Sequence, residues 1–327
     1  MKIAVFGCGG AGSVFASYLR KGGADIILID RNADHMKKIA EDGMTFTVHL
    51  QEGGEYHDIT EVLRGFRTYT SAQAAAEAEG KVDVIIYVTK AHQLVDAIAQ
   101  SAPVVDENTV AVSLINGLGN DDNLLKTYPA GRCVIGSGVL GTAMPELGHC
   151  VCTPVGGVQM NFGAIERNER TDAVCQELLR CFRGGQLNAF WRKDDVYTYI
   201  WKKVIVNSVV NTVCFVLRLK IGQIEADPYG RELFRDVIRE ACAVATARGV
   251  KLDAEDFIAH EHQDVVTNVA DYYPSMCQDF FHRRQTEIDV LNGKIAEYGR
   301  ELGIPTPTCA VLSQVVRAIQ GNYDKQF

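Results

Sequence analysis

The 327-residue chain carries 33 Lys and Arg against 41 Asp and Glu, a formal net charge of −8, so it lacks the basic footprint of a nucleic-acid or anionic-membrane binder. Hydrophobic residues make up 47% and charged residues 23%, as in a globular chain long enough for two domains with cores of their own. No apolar run approaches the ~20 residues of a membrane span, and the first strand begins at once, leaving no room for a signal peptide.

Lys2 to Phe6 is a short apolar run, long enough for one buried strand. It breaks into Gly7-Cys8-Gly9-Gly10-Ala11-Gly12, followed by an amphipathic stretch from Ser13 to Lys21 and a second apolar run, Ile26 to Ile29, that ends in Asp30-Arg31. Strand, glycine turn, helix and strand in that order are the context in which G-x-G-x-x-G means dinucleotide binding. Gly7 permits the tight turn, Gly9 lets backbone approach a pyrophosphate, and Gly12 lets the helix pack close on the strand. The pyrophosphate then meets the free N–H groups and positive dipole end of the helix. Asp30 suits a ribose 2′-OH and repels a 2′-phosphate, favouring NAD. Arg31 suits that phosphate, so the choice of cofactor stays open.

The alternation continues. Residues 33–43 read as a helix, Met44 to Val62 as a polar hairpin around Gly53-Gly54, and Ala72 to Glu79 as a helix. Val82 to Val88 is a strongly apolar strand leading to Thr89-Lys90 and a helix from about His92. Thr109 to Ile115 is another strand, ending in Asn116-Gly117-Leu118-Gly119. Arg132 to Leu140, the region around Cys150, and Val155 to Phe162 read as strands, Glu169 to Phe182 as a helix, and Asn188 to Trp191 as a last strand. This pattern implies a mainly parallel, doubly wound sheet.

From Lys193-Asp194-Asp195 onward helical periods dominate, best marked over 195–217, 228–248, 254–268, 274–302 and 307–320. The expected plan is a dinucleotide-binding domain over 1–193 joined directly to an all-helical domain over 194–327, with a ligand cleft between them. The ten cysteines include no C-x-x-C, Cys150 and Cys152 being the closest pair, and read as reduced core thiols. His260 and His262 flank Glu261 on what reads as a solvated helix face, and no metal site is expected.

Lys203, Asn207 and Asn211 recur every four residues along a helix rich in Val and Ile. They line one stripe, where an amine and two amides beside apolar neighbours need partners; alternatively they occupy the wet face, although Lys202, Ser208 and Thr212 could supply that face too. Ser275, Asp279, Arg283 and Glu287 also recur every four residues. They make either a salt-bridged solvated face or a stripe on which Ser275 and Glu287 face the cleft.

These residues carry a resemblance. Val88-Thr89-Lys90-Ala91, Asn116 to Gly119, Lys203-x-x-x-Asn207-x-x-x-Asn211, Ser275-Met-Cys-Gln-Asp279 and Thr286-Glu-Ile-Asp-x-x-Asn-Gly293, following the glycine turn, make the chain similar to ketopantoate reductases (2-dehydropantoate 2-reductases) nearly end to end. The resemblance implies an N-terminal Rossmann-type doubly wound sheet and a C-terminal all-α domain like that of 6-phosphogluconate dehydrogenase. It also implies a cytoplasmic oxidoreductase that reduces a 2-keto acid by hydride from a nicotinamide cofactor, NADP by family default. Lys203 would be the general acid, and Glu287 would orient it or hold a hydroxyl of substrate or cofactor. Asn207 and Asn211 would bind substrate hydroxyl or carbonyl groups, and Ser275 its carboxylate. Asn116 and Lys90 would position the cofactor and the reacting end of the substrate. A homodimer is possible; neither nucleic acid nor membrane is an expected partner.

The chain also departs from that pattern. Tyr272 stands where the family usually has an asparagine, three residues before Ser275, and the position of a further family asparagine falls near Ile221. Together with Asp30, these resemble the NAD-dependent D-2-hydroxyacid dehydrogenases of the D-mandelate type, which take bulkier, more apolar keto acids. A catalytically silent dinucleotide sensor would keep the glycine turn but have no need of Lys203 and Glu287.

Overall fold

The continuous apolar run at the N-terminus makes a strand buried on both faces, as the centre of a parallel sheet requires. In the computed structural model, which describes residues 1–52, 55–154 and 157–325, this strand is β1 (Lys2–Phe6) and leads into α1 (Gly10–Lys21), β2 (Asp25–Ile29) and α2 (Ala33–Asp42). The chain continues through β3 (Met44–Glu52), β4 (Glu55–Leu63), β5 (Arg67–Tyr69), α3 (Ala72–Glu79), β6 (Val84–Tyr87), α4 (Leu94–Gln100), β7 (Val110–Ser113) and α5 (Asn120–Leu125). Then come β8 (Cys133–Gly138), β9 (Leu140–Glu146), β10 (His149–Pro154), β11 (Met160–Ala164), α6 (Glu169–Gly184) and β12 (Ala189–Trp191).

Eight of these strands form one sheet in the order β12-β11-β8-β7-β6-β1-β2-β5. Every pairing in it is parallel except β8 with β11. This is the doubly wound arrangement expected from the alternation, with an antiparallel step near one edge. Contrary to the single sheet implied by that alternation, β3, β4, β9 and β10 leave it and form a second, four-stranded sheet in the order β4-β3-β10-β9. The physical reason is a single contact surface: Phe46, Cys150 and Cys152 of this sheet are fully buried, and Tyr18 of α1 meets Phe46 edge-on at 4.9 Å. The hairpin tip expected at Gly53-Gly54 and the strand start expected at Val155 lie outside the described residues.

The helical part comprises α7 (Val196–Leu217), α8 (Ile221–Ala226), α9 (Pro228–Ala247), α10 (Ala254–Phe257), α11 (Gln263–Val269), α12 (Ser275–Phe281), α13 (Asn292–Leu302) and α14 (Pro307–Gln320), with a π-helical turn at Ile258–His262. Two corrections follow. The stretch 274–302 is not one helix. It ends at Phe281, Arg283 takes a left-handed backbone at φ 52°, and a 3-10 turn at Ile288–Val290 precedes α13. The Ser275–Asp279–Arg283–Glu287 recurrence is therefore not a helical stripe, because Asp279 turns to pair with Arg284 and Arg283 with Asp324.

By length and mean composition α7 could cross a membrane, but 61% of its most apolar window is buried within the protein. Ser208 and Thr212 are fully buried, so neither supplies a wet face, whereas Lys202 is half-exposed and pairs with Glu261. A helix apolar on most sides belongs in a core. Here that core also holds Ile205, Phe215, Phe234 and Ile295. All ten cysteines are free and buried, as small core residues.

The chain divides into two compact units. One comprises residues 1–115 and 120–196, the other 116–119 and 197–327. The short Asn116–Gly119 segment thus belongs with the helices, which chain order alone does not suggest.

Candidate functional site

In the first unit the glycine turn has the expected local form. Gly7 adopts φ +96°, open to glycine at little cost, and a Cβ on Gly12 would overlap the Gly7 carbonyl oxygen. Gly9 differs, because a Cβ there meets nothing within 4 Å. The protein itself does not exclude a side chain at Gly9, so the space fits a ligand that must approach the backbone closely. Gly9 is the N-cap of α1 and makes no side-chain cap. The first-turn N–H groups of Gly10, Ala11 and Gly12 therefore point, as at any helix start, toward an anion. These features fit a dinucleotide pyrophosphate.

Asp30 closes β2, and both of its carboxylate oxygens hold backbone. Oδ2 accepts from the Cys8 N–H at 2.7 Å and Oδ1 from the Asn32 N–H at 2.8 Å. Each oxygen keeps a further lone pair, so the group can still receive a ribose hydroxyl. Its fixed negative charge stands beside the turn, while Arg31 and Lys90 are exposed.

In the second unit, the four-residue spacing puts Lys203, Asn207 and Asn211 on one side of α7, the first two half-buried and Asn211 buried. Lys203 Nζ donates to Asn116 Oδ1 at 2.8 Å, and Asn211 Nδ2 donates to Ser275 Oγ at 3.2 Å. Burial pushes the Lys203 ammonium down to about 8, and the nearby Glu287 carboxylate partly opposes the shift. Glu287 sits on the irregular segment between α12 and α13, so the break in the expected helix is what brings it to Lys203. Asn116, Lys203 and Glu287 thus form one cluster, with Asn211 and Ser275 paired farther along α7. Gly7 to Gly12, Asp30, Arg31 and Lys90 belong to the other unit.

Three residues that hold this cluster, Gly117, Leu118 and Asn292, were not singled out from the sequence. Leu118 donates its N–H to the Val290 carbonyl at 2.9 Å, and no side chain could fit at Gly117 against Val290. Asn292 is fully buried, accepts from Thr212 Oγ1 at 2.6 Å and donates to the Ser208 carbonyl at 3.1 Å. It stands in the Asn-Gly of the Thr286–Gly293 block, and an amide next to an apolar helix was the available signal. Ile221 is a core residue, 1% exposed. Tyr272 is 56% exposed, at the turn that follows α11.

The cluster offers a partly desolvated amine that can give up a proton near neutral pH, a carboxylate that tunes it, and amide and hydroxyl groups able to hold a small polar molecule. Among the described residues no group of three or more His, Cys, Asp or Glu could hold a metal ion.

The profile of the family described as "Ketopantoate reductase PanE/ApbA" matches residues 3–167, and its C-terminal counterpart matches residues 195–320. A 2-dehydropantoate 2-reductase from Streptococcus pyogenes serotype M6 is 30% identical over 319 residues, 97% of each chain. One from Lactococcus lactis subsp. lactis is 28% identical over 320 residues, again 97% of each. The ternary structure of D-mandelate dehydrogenase with NADH and anilino(oxo)acetate superposes with a TM-score of 0.81 at 27% identity, covering 99% of this chain and all of that one.

Proposed function

Since the chain belongs to the ketopantoate reductase family, we propose that it reduces a 2-keto acid to the 2-hydroxy acid with a nicotinamide dinucleotide, 2-dehydropantoate being the default substrate. The observation that carries this reading is the desolvated Lys203 ammonium, held at about 8 beside Glu287 and hydrogen-bonded to Asn116. Residues 1–193 would bind the dinucleotide, and residues 194–327 would bind the keto acid and donate the proton, in a soluble, cytoplasmic enzyme.

When bound, a nicotinamide dinucleotide would supply the hydride for the keto carbon. Negative charge then develops on the carbonyl oxygen and must be met in place. Lys203 donates a proton from Nζ to that oxygen and becomes a neutral amine. Asn116 Oδ1 aims Nζ beforehand, so little reorganisation is needed. Glu287 keeps the amine protonated at neutral pH by opposing the desolvation that lowers its pKa. Asn207, Asn211 and Ser275 hold the carboxylate and any hydroxyl. Gly7, Cys8, Gly9, Gly10, Ala11 and Gly12 would cradle the pyrophosphate, and Lys90 and Asn116 would position the cofactor and the reacting end of the substrate.

A second reading has specific support. Asp30 holds its charge against the glycine turn, where a 2′-phosphate would be repelled, and an exposed Tyr272 replaces a polar amide. Both favour NADH and a bulkier, more apolar keto acid, in line with the likeness to D-mandelate dehydrogenase. Initial rates with ketopantoate, 2-ketoisovalerate and phenylglyoxylate, each with NADPH and NADH, decide between them. Fast ketopantoate reduction with NADPH assigns the default and makes Arg31 dominant at the ribose. Preference for NADH with phenylglyoxylate makes Asp30 dominant. No turnover in any combination, with dinucleotide still bound, would replace both readings by a silent sensor.

A further inference from the structure

We infer that His35 is a positioning residue for dinucleotide binding, a buried imidazole that ties the β9–β10 turn to the glycine turn. The inference rests on reading that turn as the pyrophosphate site.

His35 lies in the first turn of α2 and is 1% exposed. Its Nδ1 accepts the Gly148 N–H at 3.0 Å, and its Nε2 lies 3.3 Å from Ser13 Oγ. Ser13, itself fully buried, spends its single hydroxyl proton on the Cys8 carbonyl at 2.8 Å. Toward His35 the hydroxyl can therefore only accept, so Nε2 must carry the proton and Nδ1 the lone pair. The Gly148 contact, at the other end of the ring, demands the same tautomer. One neutral form satisfies both partners, and burial keeps the ring in it by pushing its pKa down, against the opposing pull of Asp30 and the Cys8 carbonyl.

The chain of bonds runs from Gly148 through His35 and Ser13 to Cys8. Cys8 is thereby fixed on both sides, its carbonyl by Ser13 and its N–H by Asp30 at 2.7 Å. The His35 N–H also donates to Asn32 Oδ1 at 3.1 Å, which caps the helix that follows Asp30 and Arg31. A second contact joins the same two regions, since a Cβ on Gly10 would lie 3.3 Å from the Ala143 carbonyl carbon on β9. The four-stranded sheet therefore serves as a buttress for the glycine turn, and His35 is its polar link.

The test is dinucleotide affinity, by NADH and NADPH fluorescence titration, together with steady-state kinetics and melting temperature for wild type, Ser13→Ala, His35→Ala and His35→Gln. Ser13→Ala removes only the link and leaves a small, buried side chain, so it should fold. Losing the two buried hydrogen bonds of the Ser13 hydroxyl, to the Cys8 carbonyl and from His35, should raise the dinucleotide Kd and KM roughly tenfold or more, with a much smaller fall in kcat at saturating dinucleotide. His35→Gln, whose amide can still donate to Ser13, should recover most of the loss that His35→Ala causes. Unchanged affinity in Ser13→Ala, or a kcat that falls in step with affinity, overturns the inference while leaving the family reading intact. A wild-type protein that binds neither dinucleotide overturns both.

Discussion

Replacing Lys203 with Ala should lower kcat for keto-acid reduction on the order of 10²- to 10⁴-fold, the usual worth of a positioned general acid. That loss corresponds to about 3–5 kcal/mol of transition-state stabilisation. Dinucleotide affinity should survive, because most of the residues assigned to it, Gly7 to Gly12, Asp30, Arg31 and Lys90, belong to the other unit. Lys203→Arg should be nearly as slow despite keeping the charge. A guanidinium does not release its proton near neutral pH, whereas the buried ammonium at about 8 does. Stopped-flow reduction rates alongside fluorescence titration of the dinucleotide check both halves. Wild-type turnover in Lys203→Ala would remove this residue from the chemistry.

The second large effect is on pH dependence. Reduction needs Lys203 protonated, so its rate should be flat below about 8 and fall about tenfold per pH unit above that value. Oxidation of the 2-hydroxy acid needs the neutral amine and should show the opposite limb. Glu287 raises the pKa of Lys203 against the lowering by desolvation. Glu287→Gln removes only the raising influence, so both limbs should move to lower pH, by roughly one unit or more for a close opposite charge. At pH 7.5 the variant should then reduce slowly and oxidise comparatively well. Limbs that stay in place would show that Glu287 does not tune the lysine. Measuring kcat/KM in both directions from pH 5.5 to 9.5 distinguishes these outcomes.

Much of this was legible in the residues, for definite reasons. The glycine turn could be read because φ +96° at Gly7 and the close approach at Gly12 are local demands that only glycine meets. The Lys203–Asn207–Asn211 stripe could be read because helical periodicity fixes side-chain direction along α7. Glu287 was placed on the wrong kind of element. Its four-residue spacing from Arg283 mimicked a helix, whereas ion pairs to Arg283 and Arg284 and a left-handed backbone at Arg283 end α12 before it. Those partners, Asp279 and Asp324, are a tertiary matter that periodicity does not contain.

The second sheet was missed for a similar reason. β3 and β10 pair in parallel across about a hundred residues of intervening chain, and no local pattern announces such a pairing. His35 was hidden too, since one histidine in an amphipathic helix gives no sign that Gly148 and Ser13 meet it on opposite sides.

The central claim is hydride transfer to the keto carbon with proton donation by Lys203. It is tested most directly by incubating the protein with dinucleotide in which both hydrogens of the reduced nicotinamide carbon are deuterium and a 2-keto acid that it turns over, then analysing the product by NMR and mass spectrometry. The product should be a 2-hydroxy acid of single configuration, with one deuterium at C2 and none exchanged to solvent. Product without deuterium at C2, or cofactor oxidation without any 2-hydroxy acid, would contradict it.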